Sequence, residues 1–306
     1  MLKIKKNYSM KYLSTFKIGG RARFFAEVKI ERDFFEAIKK SKEFNVPCAI
    51  IGNGSNIVFS DGLIDYFFIK LSIVGLKIFN NKIIVGAGLD LAKIIKIANK
   101  NGLAGLETLA GIPGTIGGAI VGNVGAYGHS ISEVVEKVEI WNGYKKQWLK
   151  NKDCNFSYRE SIFKNKSYII LRAILKFNTG KANKLKKISA GIIKIRNKKY
   201  KKGLLCPGSF FKNVLISHIS KRSLNLISKI GKNKIINGKI PAGYLLEQIG
   251  ANGMRFGGIK VADFHGNLLF NQEEATAKDV RKAAQILKNK VYRKFNIELQ
   301  EEVKYF

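Results

Sequence analysis

The stretch GIPGTIGGAIVGNVGAYG, residues 111–128, sets the tightest limit on how this 306-residue chain can fold. It places a glycine every three or four positions and carries no charge. Glycine serves where the backbone must take positive φ or approach another group closely. So many together point to backbone amides pressed against a ligand, or to a glycine-rich crossing between packed elements. Two familiar phosphate loops are excluded. The stretch is not a GxGxxG opening a helix with an acidic residue about 20 positions on, and it lacks the Gly-Lys-Ser/Thr of a P-loop. A second loop, GNGSN at residues 52–56, follows the apolar run VPCAII and offers two glycines, a hydroxyl and two amides. Such a loop suits phosphate or ribose oxygens, or is a plain turn.

Around these loops the pattern alternates between strands and helices. ARFFAEVK reads as a strand. The following ERDFFEAIKKSKEFN reads as an amphipathic helix with Phe34, Phe35, Ile38 and Phe44 on one face. With CAII this makes a β-α-β unit, whose strand ends are where ligands of open α/β sheets usually sit. LKIFNNKIIVGAG predicts a hairpin turning at Asn80 and Asn81, and DLAKIIKIANKNG a helix from an Asp90 cap to Gly102. VVEKVEIW and YIILRAILKF read as strands, and residues 188–200 as a lysine-rich helix. Pro207 and Gly208 then break the pattern, which places a boundary near Lys202. Beyond it come a short helix in PAGYLLEQIG, strands at 259–264 and 268–270, a long helix capped by Thr276, and a last strand in EEVKYF.

Composition narrows the class. The three cysteines, Cys48, Cys154 and Cys206, are odd in number and widely separated, which argues against a disulfide framework and predicts a cytoplasmic setting. The basic start, MLKIKK, runs into polar residues, and no apolar stretch approaches a membrane span. The formal net charge of +33 raises nucleic acid as a partner, but the lysines are spread over nearly every segment instead of forming a stripe. We therefore expect no nucleic acid or membrane partner. The three histidines, His129, His218 and His265, are too scattered for metal-ligand spacing, so no metal site is expected.

Few residues stand out as chemical groups. Arg159 in FSYRESIF could clamp a carboxylate, or form a structural ion pair with Glu160. Ser209 in CPGSFFKN reads as a turn residue unless context says otherwise. Glu301 and Glu302 precede the last strand, as a solvated acidic pair or as a carboxylate entering a pocket.

Seven segments in order change the weight of these readings. STFKIGGRARFF, IGNGSNIVFSDG, LETLAGIPGTIGGAIVGNVGAYG, YRESIFK, GSFFKN, PAGYLLEQIGANGMRFGGIKVADFHGN and EATAKDV resemble, from end to end, the UDP-N-acetylenolpyruvoylglucosamine reductase family, in the shorter of its forms. The resemblance implies an α+β protein. It would have an FAD-binding fold of the vanillyl-alcohol-oxidase type over residues 1–201, in subdomains of roughly 1–72 and 73–201. A substrate domain over 202–298 and a terminal strand over 299–306 would follow. FAD would be bound without a covalent tether, its pyrophosphate held by Gly52, Asn53, Gly54, Ser55 and Asn56 of one loop. The other loop would contribute Gly111, Gly114, Thr115, Gly117, Gly118, Asn123, Gly125 and Ala126.

The same resemblance makes Arg159, Ser209 and Glu302 the catalytic residues, with Tyr158, Lys212 and Asn213 toward the substrate. Glu302 matches the family's terminal carboxylate, and its neighbour Glu301 stands where proline is usual. NADPH would reduce FAD, and hydride and a Ser209 proton would then convert UDP-N-acetylglucosamine enolpyruvate to UDP-N-acetylmuramate in a monomeric enzyme. Two other readings remain at this level: a flavin oxidase of the same fold, tethering FAD near His129, and a cationic nucleic-acid-binding protein.

Overall fold

In the computed structural model, which describes residues 2–201, 203–228 and 235–306, the alternation in RARFFAEV becomes the strand Arg21–Val28, burying Ala22, Phe24, Ala26 and Val28. The helix Glu31–Glu43 follows and buries Phe34 and Ala37, while Asp33 in its first turn and Lys40 and Lys42 in its last complement the helix dipole.

The chain forms two compact units. The first comprises Met1–Tyr8, Ala22–Asn53 and Asp65–Lys198. Its four-stranded sheet runs in the order Ile4–Ser9, Arg21–Val28, Leu63–Leu71, Cys48–Ile51. The two strands of the expected β-α-β unit are therefore not neighbours: Leu63–Leu71 lies between them and pairs parallel with Cys48–Ile51. A five-stranded sheet orders Lys146–Lys150, Val135–Trp141, Ile169–Lys176, Lys82–Gly86 and Leu76–Phe79, each pair antiparallel. Its hairpin turns at Asn80, whose φ of 50° a short polar side chain tolerates. One continuous core, including Phe24, Phe34, Phe67, Val85, Ile94, Ile116, Val138 and Leu175, runs under both sheets.

The second unit comprises Ser9–Arg21, Gly54–Ile64 and Lys199–Phe306. A three-stranded sheet, Arg255–Phe256, Ile259–Ala262 and His265–Asn271, shares a core with the helices Ala242–Gln248 and Ala277–Phe295. Phe16, Ile18 and Val58 bury themselves in this same core, which is why two N-terminal segments join the C-terminal third. A single cut between 201 and 202 does not describe this grouping, and Lys202 itself lies outside the described residues.

Thr276 caps the long helix as expected, accepting from Asp279 N at 3.1 Å, while Asp279 accepts from Thr276 N at 3.0 Å. The lysine-rich helix starts earlier than its apolar spacing suggests, at Ala182, and runs to Lys199. Only Lys304–Tyr305 of the terminal segment is strand, parallel to Ile57–Val58.

Candidate active site

In the first unit the strand Cys48–Ile51 runs out into Gly52 and Asn53 beside the loop that leads into the helix Ile116–Val121. A Cβ at Gly52 would sit 2.6 Å from Thr115 Oγ1, so this approach requires glycine. Asn53 Nδ2 donates to Asp90 Oδ1 at 2.6 Å, and Asp90 in turn bridges to Thr115. Leu91 N donates to Gly114 O at 3.0 Å and Gly117 N to Ala87 O at 2.8 Å, tying this loop to residues 87–91. A Cβ at Gly117 would press on Ala87 Cβ at 3.0 Å, whereas one at Gly118 would meet only Thr115 Oγ1 at 3.5 Å, an ordinary contact. Packing is thus tight at 117 and open at 118, where a helical glycine costs about 1 kcal/mol relative to alanine.

The two ends of the glycine stretch do other work. Gly111 packs on the helix Ala182–Lys199, where a Cβ would lie 3.1 Å from Arg196 Cδ. Gly125 and Ala126 pair with Ser130 and His129 in a small hairpin. Asn123 is buried, and its side chain donates to Ser157 O at 2.8 Å and accepts from Ser132 N at 3.3 Å. Gly54, Ser55 and Asn56 belong to the second unit. A Cβ at Gly54 would lie 1.8 Å from Leu13 O.

Arg159 occupies the tip of a tight hairpin. Ser157 and Glu160 exchange both backbone hydrogen bonds at 3.1 Å, leaving Tyr158 and Arg159 as the turn. Arg159 has a φ of 59°, a conformation that costs a non-glycine residue about 1 kcal/mol. The surroundings hold it there. Asn123 binds Ser157 O, Ser161 Oγ donates to Val121 O at 2.7 Å, and Lys164 Nζ donates to Arg159 O at 2.5 Å. The guanidinium carbon lies 5.5 Å from the Tyr158 ring centroid, and Glu160 pairs with Lys164 at 3.3 Å. Ser161, which spacing alone did not single out, therefore ties the turn to the end of the glycine-stretch helix.

In the second unit Ser209 and the terminal carboxylates lie on adjoining extended segments. Ser209 is half-buried, with Oγ 3.1 Å from Tyr200 Oη, and Phe210 and Phe211 beyond it are fully buried. Phe211 bridges antiparallel to Glu301, Glu302 N donates to Phe210 O at 2.8 Å, and Lys212 N donates to Gln300 O at 2.8 Å. On the opposite edge Asn267 holds the same segment: Oδ1 accepts from Phe211 N and Nδ2 donates to Phe211 O, both at 2.8 Å. Lys212 Nζ reaches Gln300 Oε1 at 3.4 Å, and Asn213 Oδ1 accepts from Ala242 N at 3.1 Å.

Successive residues of an extended chain point to opposite faces, which separates the two glutamates. Glu301 pairs with Lys288 at 2.8 Å and accepts from the Tyr305 hydroxyl. Burial and this carboxylate push the Tyr305 phenol up, keeping its proton in place for Glu301. Glu302 is fixed through its backbone, its carbonyl accepting from Asn56 Nδ2 at 2.9 Å while Lys304 N donates to Asn56 O at 3.0 Å. The Asn56 amide, expected toward the cofactor, thus secures the terminal segment.

Burial shifts several other titratable groups. Burial, with Lys199 nearby, pushes the His265 imidazole down to about 4, and its Nδ1 accepts from Asn267 N at 3.0 Å. Burial pushes all three thiols up, Cys154 to about 11. His129 is exposed and paired with Glu133 at 2.9 Å. Among the described residues no three His, Cys, Asp or Glu side chains gather as a metal site, and no helix is long and apolar enough to cross a membrane.

Comparison with known proteins assigns the family. Residues 22–144 match the FAD binding domain family, and residues 199–306 match the C-terminal domain of UDP-N-acetylenolpyruvoylglucosamine reductase. The UDP-N-acetylenolpyruvoylglucosamine reductase of Solibacter usitatus is 43% identical over 291 residues, covering 95% of this chain and 92% of its own. That of Anoxybacillus flavithermus is 34% identical over 309 residues, covering 98% and 93%. The crystal structure of the corresponding reductase from Thermus caldophilus superposes with a TM-score of 0.78 at 24% identity over 100% of this chain and 99% of its own, which shows the same fold. The chain belongs to the UDP-N-acetylenolpyruvoylglucosamine reductase family and is an FAD-dependent oxidoreductase of α+β fold.

Proposed function

We propose that this protein reduces the enolpyruvyl ether of UDP-N-acetylglucosamine enolpyruvate to UDP-N-acetylmuramate, a peptidoglycan precursor, with NADPH as electron source. In this reading the first unit holds FAD, the second holds the nucleotide, and the enzyme works as a cytoplasmic monomer. The observation that carries it is the pairing of the Ser209 segment with the Glu302 segment through Glu302 N and Phe210 O at 2.8 Å.

The first unit suits FAD because Gly52, Asn53, Gly114, Thr115, Gly117 and Gly118 would form a glycine-rich cradle, with Asn53 Nδ2 holding the Asp90 carboxylate at its edge. Its glycine at 118 leaves open a space that a Cβ would fill. These residues would surround the pyrophosphate, Gly117 N being committed to Ala87 O and Gly118 N to Thr115 Oγ1, with Gly54 and Ser55 continuing the first loop. Gly111, Asn123, Gly125, Ala126 and Asn56 would keep the loops in shape. When bound, FAD would supply hydride chemistry toward C3 of the enolpyruvyl group, with NADPH as the source of electrons.

Charge then builds on the substrate carboxylate. Arg159, permanently cationic and held at its turn, would stabilise that charge, and Glu302 would add a hydrogen bond. Ser209 would deliver a proton to C2. A serine is a weak acid in water, so this step relies on the basicity of the enolate and on close placement. Tyr158 would orient Arg159, whose guanidinium lies over its ring. Lys212 would meet the diphosphate with its ammonium group and Asn213 with its amide nitrogen, since Ala242 N already takes the Asn213 oxygen.

The purified protein is expected to show an oxidised flavin spectrum, to bleach with NADPH, and to recover anaerobically on adding the enolpyruvyl nucleotide. Failure to recover would overturn the reading, as would flavin that stays with the chain after denaturation. Gly118→Ala is expected to fold like the parent yet to bind FAD about tenfold more weakly, because its Cβ enters the cradle while meeting only Thr115 Oγ1 within the protein. Flavin titration at unchanged melting temperature measures this, and a parental affinity would remove Gly118 from the cofactor contacts.

A further inference from the structure

We propose that Asn267 is a positioning residue for the proton-delivering half of the reaction, setting Ser209 and Glu302 together by gripping the segment between them. This rests on the roles proposed above for Ser209 and Glu302.

Asn267 is 3% exposed and lies within the apolar run of the strand His265–Asn271, next to the fully buried Leu268 and Leu269. Its carboxamide takes both backbone polar groups of Phe211, at 2.8 Å each, much as a neighbouring strand would. Its carbonyl also accepts from Phe210 N at 3.1 Å, and its own amide is secured on His265 Nδ1 at 3.0 Å. The segment 210–212 is therefore held from one side by one asparagine and from the other by residues 300–302.

A buried carboxamide is costly unless fully bonded, and a side chain of similar size without polar atoms would fill this site more simply. What the asparagine adds is register. Ser209 is the residue before Phe210, and Glu302 hangs from Phe210 O by its amide. A shift of this segment would displace both groups together, and a misplacement of about 1 Å can cost a reaction about 100-fold.

The test uses the full chain loaded with FAD and compares Asn267→Ala and Asn267→Leu with Ser209→Ala. Both Asn267 variants are expected to retain flavin and to bleach with NADPH within about twofold of the parent, because the residues assigned to FAD lie elsewhere. Reoxidation at saturating enolpyruvyl nucleotide should slow about 100-fold, with the half-saturating concentration little changed. The solvent deuterium isotope effect on that step should rise as proton delivery comes to limit it. A merely structural role would lower the melting temperature and leave the isotope effect where it was.

Asn267→Asp keeps an acceptor for Phe211 N but sets a buried carboxylate against Phe211 O, so it is expected to slow reoxidation at least as far as Asn267→Leu, about 100-fold. A folded, flavin-bound Asn267 variant with parental reoxidation or an unchanged isotope effect overturns the proposal. If Ser209→Ala reoxidises normally, the role of Ser209 fails and the proposal falls with it. A slow Ser209→Ala beside a normal Asn267→Leu overturns the positioning role alone.

Discussion

Ser209→Ala is expected to keep its FAD, to bleach with NADPH at the parental rate, and to lose reoxidation by the enolpyruvyl nucleotide by about 1,000-fold. General acid catalysis by a placed side chain is worth about 100- to 10,000-fold, and here the acid works at a single step. Ser209 is half-buried with its Oγ 3.1 Å from Tyr200 Oη, and removing its oxygen leaves the buried Phe210–Phe211 anchor intact. The melting temperature should change little. Rapid-mixing measurements that resolve the two half-reactions are the check. A variant slow in bleaching as well would point to lost flavin placement and not to a lost proton donor.

The second large effect separates the neighbouring glutamates. Glu302→Gln should slow reoxidation by about 100-fold or more while leaving stability near that of the parent, since the backbone contacts of residue 302 with Phe210 and Asn56 survive. Glu301→Gln should do the opposite. It weakens the pair with Lys288 and the bond from Tyr305, costing about 1–3 kcal/mol in unfolding measurements, and spares the half-reaction. The pair of variants is informative because each is the other's control. The reverse pattern would transfer the catalytic role to Glu301 and mean that the terminal segment turns its other face to the substrate.

Much of the local structure is legible in the sequence because it depends on neighbours a few positions apart. Thr276 caps its helix, Asn80 turns its hairpin, and Phe34 enters a core with Phe35, Ile38 and Phe44 partly buried against it. The glycine stretch also announces close backbone approach, seen at Gly117 against Ala87 and at Gly125 against His129 O.

What the pattern hides is which partner a polar side chain takes. Asn56, Asn123 and Asn267 are equally able to bind a ligand or a peptide group, and only tertiary pairing commits each to a carbonyl far along the chain. For Asn267 one signal was available: an amide inside the apolar run HGNLLFN had to be satisfied somewhere in the interior. Sheet order was hidden for a related reason. Leu63–Leu71 inserts between two strands that are consecutive around a helix, and periodicity within a strand says nothing of its neighbours.

The discontinuity of the second unit bears on how the protein is made. Asn271 Nδ2 reaches Phe16 O across 255 residues, and Asn56 Nδ2 reaches Glu302 O across 246. On the ribosome the early partners of these pairs emerge first, and at about 5–20 residues per second they precede the late ones by roughly 10–50 s. Through that interval Phe16, Ile18 and Val58, wholly buried in the finished protein, have no core to enter. The closing of such long loops comes late and slowly. The segment Lys304–Tyr305, paired with Ile57–Val58, is therefore the latch that closes the unit begun at Ser9.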